Sequence, residues 1–443
     1  MFSNKDLRKL IIPLVIEQLL AVTIGMADTV MVSSCGEAAV SGISLVDSIN
    51  FLLITLFSSL ATGGAVIASQ YIGRGDHKSA SLAAKQLFYA SLALSAVLGV
   101  IAVFSRKPVL NMVFGSIEAD VMAHAQIYFL LSAISYPFLA VYNAGAALFR
   151  SMGDSRTTML ISILMNTINI VGNAILIYGF QMAAAGAATA SLVSRAVGAI
   201  IITVLLLNPR RIIFYDKLHK PEIHLSMLKS ILQIGVPNGL ENSIFQIGKI
   251  LVASIVSGFG TISITANAVA GNLASLQVIP GMALGMAMIT VVGQCIGAKD
   301  YEAVKKYTKK LMLITYGVVW AMTLLMLLFS KQILSFYSLS EETTTMTMEV
   351  FIVHGICAVI VWPLAFALPN ALRAANDVRF TMIVSLLSMW IFRIGFSYIL
   401  AIYFNMGILG TWIAMCIDWF CRGTCFVIRF ARGKWKNISF IDN

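Results

Sequence analysis

Long apolar runs alternate with short polar breaks along the whole chain. A helix needs about 20 mostly apolar residues to cross a bilayer. Twelve such runs are predicted, roughly over 10–32, 46–71, 84–104, 124–149, 157–178, 186–207, 228–256, 267–296, 308–329, 349–372, 380–402 and 409–430. Six fall in each half, and the halves repeat one another. "QYIGRGD" closes the second run at Gln70 and "QCIGAKD" closes the eighth at Gln294, an interval of 224 residues. "PLVIE" at Pro13 and "PNGLE" at Pro237 keep that interval, so Glu17 and Glu241 hold equivalent places. "RSMGD" at Arg150 and "RAAND" at Arg373 are 223 apart. A repeat this long is a duplicated bundle rather than a solenoid unit. An even number of spans returns the chain to its starting side. The halves should therefore share one orientation and be related by an axis along the membrane normal. The expected fold is an all-α membrane protein with two pseudo-symmetric six-helix bundles, residues 1–207 and 225–443. A polar stretch, "NPRRIIFYDKLHKPEIH" over 208–224, joins them and reads as a cytoplasmic linker that lets the halves move.

Composition agrees with a bilayer environment. The 443-residue chain is 59% hydrophobic and only 12% charged, with mean hydropathy +0.87, whereas soluble domains carry about 25% charged residues. A net charge of +11 would point to nucleic acid in a soluble protein. Here the positive-inside rule accounts for it. Only Arg106, Lys107 and Lys331 lie in loops after odd-numbered runs, and Arg195, Lys249, Arg393 and Arg422 lie deep within runs; basic residues at the margin of a run count with the adjoining loop. The remaining Lys and Arg cluster at the two termini and in the even loops, which places both ends in the cytoplasm and the chain in the plasma (inner) membrane. Lys5, Arg8 and Lys9 before an apolar stretch resemble a signal peptide. That stretch is half of a duplicated pattern, so it reads as the first span. The six cysteines form no CxxC and read as buried small hydrophobes. There is no HExxH, no nucleotide-binding glycine loop and no histidine cluster, so neither an enzyme nor an ATP-driven pump is indicated. No cofactor or nucleic-acid partner is expected.

In combination these motifs resemble the multidrug and toxic compound extrusion (MATE) family. The matching residues are "ADTVMV" (27–32), QYIGRGD, RSMGD, "MNTINIVGNAILIYG" (165–179), "GVPNGLEN" in the seventh run and QCIGAKD. The resemblance covers essentially the whole chain. It implies bundles set as a V around a central cleft. It also implies a secondary transporter that expels amphipathic, often cationic compounds by alternating access, driven by inward H+ or Na+. The partners would be membrane lipid and small amphipathic molecules, and the chain is expected to be monomeric. Lipid and polysaccharide flippases of the same superfamily are the alternative, although those usually have more spans.

Charges inside a bilayer are costly and need a reason. Asp28 matches the family's first-helix aspartate, which implies cation coupling. Asn166, Asn169 and Asn173 share one face of the fifth helix by their i, i+3, i+7 spacing. Members that bind Na+ use an Asn-x-x-x-Asp pair there plus a sixth-helix hydroxyl. The matching residues are Asn169, Asn173 and Ser191, with an amide at 173 in place of a carboxylate. These oxygens still suit a hard cation, but Asp28 is then the one anionic ligand. Glu17 and Glu241 are expected to contact substrate or protons, Glu17 about three turns from Asp28 on the same face. Pairing with a neighbouring helix is the other reading for both. Asp418 and Arg422 have ion-pair spacing. Met282, Met286 and Met288 could form an adaptable wall, though gap-filling suits them better.

Overall fold

The computed structural model describes all residues except Met1, Ser116, Ile117, Lys217, His219, Pro221, Ser338 and 441–443, and also omits the side chains of Ile24, Met26, Ala27 and Thr29. The chain divides into two compact units, Met1–Gly239 and Leu240–Asn443. The division falls inside the seventh helix rather than in the linker.

In the first unit the helices are α1 (Asn4–Ser33), α2 (Glu37–Arg74), α3 (His77–Phe114), α4 (Ala119–Ser151), α5 (Ser155–Gly179) and α6 (Ala183–Leu206), followed by the start of α7 (Leu225–Ser257). The second holds the rest of α7, then α8 (Thr261–Gly297) and α9 (Tyr301–Leu328) with a short helix after it (Ser330–Ser335). α10 (Glu341–Ile360) continues through a wide turn at Pro363–Ala367 into Leu368–Ala374. α11 (Val378–Tyr403) and α12 (Gly407–Ala431) complete it. Among the described residues, eleven helices are long and apolar enough to span a membrane. α1 fills the first predicted run with 30 helical residues. The helices outrun the apolar stretches: α2 and α3 have 38 residues each. At 1.5 Å per residue that is roughly 57 Å, against a hydrocarbon core of about 30 Å, so their polar ends project beyond it. Large apolar side chains such as Phe104, Met112 and Phe336 are more than four-fifths exposed, as a lipid-facing surface requires.

The repeated motifs prove to be one turn built four times. After α2 the N–H of Gly75 bonds to Ile72 O and that of Asp76 to Tyr71 O, both at 3.0 Å. The same pair of bonds recurs at Gly153–Asp154, Lys299–Asp300 and Asn376–Asp377. This is the Schellman arrangement, which puts one residue in the left-handed region. Gly75, Gly153, Lys299 and Asn376 have φ of 80°, 80°, 55° and 67°. Glycine takes that conformation freely and asparagine tolerates it. The aspartate that follows caps the next helix in three of the four: Asp76 accepts from Ser79 N at 3.0 Å, Asp154 from Thr157 N at 3.1 Å and Asp300 from Ala303 N at 2.9 Å. The Ser79 hydroxyl and backbone N–H hold the Asp76 carboxyl below the usual range. Asp377 instead grips Arg429 with both oxygens, at 2.6 and 3.0 Å.

Small residues set the helix spacing. Gly42 on α2 lies so close to α4 that a Cβ would meet Ala125 N and Val121 O at 2.9 Å. Gly63 faces Ile231 O at the start of α7, where a Cβ would approach to 2.5 Å. Such contacts let helices in lipid gain van der Waals energy where no hydrophobic drive exists between them. Phe57, Phe129, Tyr136 and Leu110 fill the core among these helices. In the second unit Trp362, Trp412, Trp419 and Val350 do so.

Several described residues of the linker are fastened to the first unit. The Gln86 side chain donates to Glu222 O at 2.6 Å and accepts from His224 N at 3.0 Å. Tyr89 Oη donates to Leu218 O at 2.8 Å, and Arg211 pairs with Asp154 at 3.3 Å. Ile213 and Tyr215 are buried. Gln86 thus serves the linker as a neighbouring strand would. A net hydrogen bond is worth about 1 kcal/mol and an orphaned buried group costs about 1–3, so Gln86→Ala should speed amide exchange at His224 by roughly tenfold or more. Unchanged exchange in a hydrogen-exchange experiment would show that the linker is held elsewhere.

Candidate functional site

Helix α5 carries its asparagines where the spacing predicted, and its closing turn widens to a π turn directly after Asn173 (Ala174–Gly179). π turns inside helices are frequent at functional sites. Asn173 is fully buried and Asn169 nearly so. Asn173 Nδ2 donates to Asp28 Oδ1 of α1 at 2.6 Å and to Asn169 Oδ1 at 3.4 Å. Asn169 Nδ2 donates to Ser191 Oγ of α6 at 3.0 Å. The four residues Asp28, Asn173, Asn169 and Ser191 thus form one continuous polar chain across three helices. Asn166 turns aside to Ser162, at 3.4 Å.

Within these four residues, Asn173 Oδ1 is buried without a donor. A buried acceptor left unpaired costs about 1–3 kcal/mol. The atom lies beside a carboxylate, so what it can accept is a cation or a proton-bearing group. Turning the amide over would exchange Oδ1 and Nδ2 and point an oxygen at Asp28, the arrangement a metal ion requires.

A second carboxylate lies on α2. Asp47 of α2 accepts from Tyr128 Oη of α4 at 3.1 Å and from Asn50 Nδ2 at 3.3 Å. Asn50 is buried, and its Oδ1 accepts from Tyr136 Oη at 2.7 Å. Arg195 of α6, unexplained by the sequence, donates to Ser135 Oγ at 2.7 Å. The Asp47/Asn50 spacing along a helix was the available signal. It was masked because Asp47 lies at the edge of an apolar run.

Glu17 is held apart from this chain. Its Oε1 accepts from Arg150 Nη1 at 3.1 Å and its Oε2 from Thr158 Oγ1 at 2.8 Å. In the second unit Glu241 Oε1 accepts from Arg373 Nη2 and from Ser385 Oγ, both at 2.7 Å. The arginines are the first letters of the repeated RSMGD and RAAND motifs, so each duplicated glutamate meets a duplicated arginine. Both carboxylates are neutralised across helices, the pairing reading that the sequence left open. Asp418 lies 3.7 Å from Arg422, as the spacing predicted, and also 3.8 Å from Arg393. Met282 is exposed whereas Met288 is buried, so the methionines form no single wall. All six cysteines are free, and no group of three or more metal-ligating His, Cys, Asp or Glu occurs among the described residues.

The family model described as MatE matches the chain twice, over residues 13–175 and 237–399. The two matches begin at Pro13 and Pro237, the interval already read from the motifs. The chain is 26% identical to an uncharacterized transporter, YisQ of Bacillus subtilis, with 96% of this chain and 93% of that protein covered. It is also 26% identical to a probable multidrug resistance protein NorM of Thermotoga maritima, covering 98% and 93%, and 29% identical to a NorM of Bacillus cereus, covering 92% and 91%. Among solved structures it superposes on a MATE in complex with MaD5 with TM-score 0.90 at 20% identity, covering 98% and 97% of the two chains. A MOP superfamily transporter from Pyrococcus furiosus, described as having reverse polarity of its binding pocket, gives TM-score 0.87 at 21% identity, covering 98% and 97%.

Proposed function

The chain belongs to the MATE family, and from that membership we propose that it is a secondary active efflux transporter that exchanges inward-moving H+ or Na+ for amphipathic organic compounds, cationic ones among them, by alternating access. In this reading both termini face the cytoplasm and the chain works as a monomer in the plasma membrane. The observation that carries the coupling role is the buried chain Asp28–Asn173–Asn169–Ser191 with its unpaired Asn173 Oδ1. Asp28 would bear the proton or act as the anionic ligand of Na+, with the amide and hydroxyl oxygens completing its shell. The first unit supports a cationic cargo as well. Its membrane-embedded Glu17 is neutralised by Arg150, which leaves Asp28 and Asp47 against Arg195.

The test is transport of a fluorescent cationic dye by the purified protein in proteoliposomes, with a Na+ gradient and a pH gradient imposed separately. Export under one gradient identifies the ion, and export under neither refutes the antiport reading. Asn173→Asp adds a second carboxylate beside Asp28. Two charges offset the dehydration of a metal cation better than one, so the variant should depend more on Na+ than the parent does. An unchanged ion dependence would show that Asn173 is no ligand.

A further inference from the structure

The second unit has the opposite polarity. Among the described residues, the charges deep within its spans, apart from the Glu241–Arg373 pair, are Lys249, Arg393 and Arg422 against Asp418. Arg393 lies mid-way along α11 and Arg422 and Asp418 mid-way along α12, and all three are more than nine-tenths buried. Two wide turns shape this place. Arg393 lies in the π stretch Met389–Gly395 and Phe366 in Pro363–Ala367. The three cations converge on one ring: Lys249 Nζ is 5.2 Å, Arg393 Cζ 5.4 Å and Arg422 Cζ 5.7 Å from the centre of Phe245. Arg422 Cζ also lies 4.4 Å over Phe366.

Asp418 does not satisfy this group. Its Oδ1 accepts from Ser388 Oγ. Its Oδ2 faces both guanidinium groups at 3.7–3.8 Å, beyond hydrogen-bonding distance. Nε and Nη1 of Arg393 and Nε and Nη2 of Arg422 are buried without acceptors. Ring faces offset part of the cost of buried cations, but they accept no N–H in a guanidinium fork. A guanidinium fork matches the two oxygens of a carboxylate, sulfonate or phosphate. Phe245 and Phe366 supply aromatic surface beside the charges.

We propose that Arg393, Arg422 and Lys249, with the Phe245 and Phe366 rings, form a binding site within the second unit for an organic anion whose acidic group sits on a flat apolar body. The proposal deepens the transporter reading and rests on it. The compounds handled then include those with an acidic group, zwitterions among them, and not cations alone.

The probe is tritiated 1-naphthoate, whose binding to the full-length protein in phosphatidylcholine nanodiscs is read by scintillation proximity without any gradient. Saturable binding is expected, displaced by naphthalene sulfonate and not by 1-naphthylmethylammonium. Arg422→Gln and Arg393→Gln should each weaken it by about tenfold or more, the scale of one lost charge-assisted contact. Lys249→Gln removes an exposed cation without disturbing the buried group, and should weaken binding while leaving thermal stability unchanged. Asp28→Asn should bind as the parent does, so a failure of the antiport reading leaves this result intact. The proposal is overturned if the ammonium competes as well as the sulfonate or if Lys249→Gln binds normally. It is also overturned if chloride displaces the probe completely, which marks an inorganic-anion site. Loss of binding in nanodiscs containing phosphatidic acid overturns it too, since a lipid headgroup is then the occupant.

Discussion

Asp28→Asn should yield a protein that inserts, folds and resists heat as the parent does, yet exports nothing against a gradient. The substitution preserves the shape of the side chain, and the new amide oxygen can still accept from Asn173 Nδ2, which now lies 2.6 Å from Asp28 Oδ1. The helix α1 contact with α5 therefore survives. What disappears is the charge. A neutral amide neither takes up a proton nor compensates a bound cation, whichever ion is used. Insertion scales assign an aspartate at mid-membrane about 2.5–3.5 kcal/mol of cost, so the variant should be no less stable than the parent. The measurement is dye export in proteoliposomes beside thermal unfolding of the same preparation. Export at the parent rate would remove Asp28 from the coupling path. Asp47, whose carboxylate Tyr128 and Asn50 hold, would then be the next candidate.

The sequence made the duplication, the helices and the four-residue polar chain legible, for different reasons. Helices in lipid must be apolar and satisfy their own backbone, so hydropathy alone located them to within a few residues on the apolar side. It underestimated their length because capped polar ends, such as those at Asp76 and Asp300, carry no apolar signal. Asn169, Asn173 and Ser191 could be assigned because spacing along a helix fixes a face, and the family resemblance named the partners. Asp47 escaped because it lies at the edge of an apolar run, and its partner Tyr128 comes from another helix, 81 residues later. Arg393 was unexplained for a similar reason. Its setting depends on a π turn in α11 and on Phe245 of a distant helix, and neither leaves a periodic trace. The docking of the linker was not legible because its polar composition looks the same free or docked. Its fastening lies in Gln86 and Tyr89, residues of α3.

Breaking the Glu241–Arg373 pair on one side should cost far more than removing it altogether. Both side chains are about nine-tenths buried, at 8% and 11% exposure, and Ser385 adds a second donor to the same carboxylate oxygen. Arg373→Met leaves Glu241 charged, desolvated and served by a hydroxyl alone. Loss of one partner of a buried pair costs about 3–5 kcal/mol, whereas replacing both with apolar groups is often neutral. The double variant Glu241→Leu with Arg373→Met should therefore unfold at a higher temperature than Arg373→Met alone, an excess that a double-mutant cycle would read as coupling. The equivalent pair Glu17–Arg150 should behave alike, since Glu17 is held by the same kind of partners. Equal stability of the single and double variants would mean that the ion pair holds nothing. Transport by the double variant decides the role of the glutamates. If it exports normally, Glu241 is a latch between helices, and Glu17 by equivalence. If it folds as well as the parent and exports nothing, the carboxylates carry substrate or protons as their repeated placement in the sequence first indicated, and the arginines release them at another stage of the cycle.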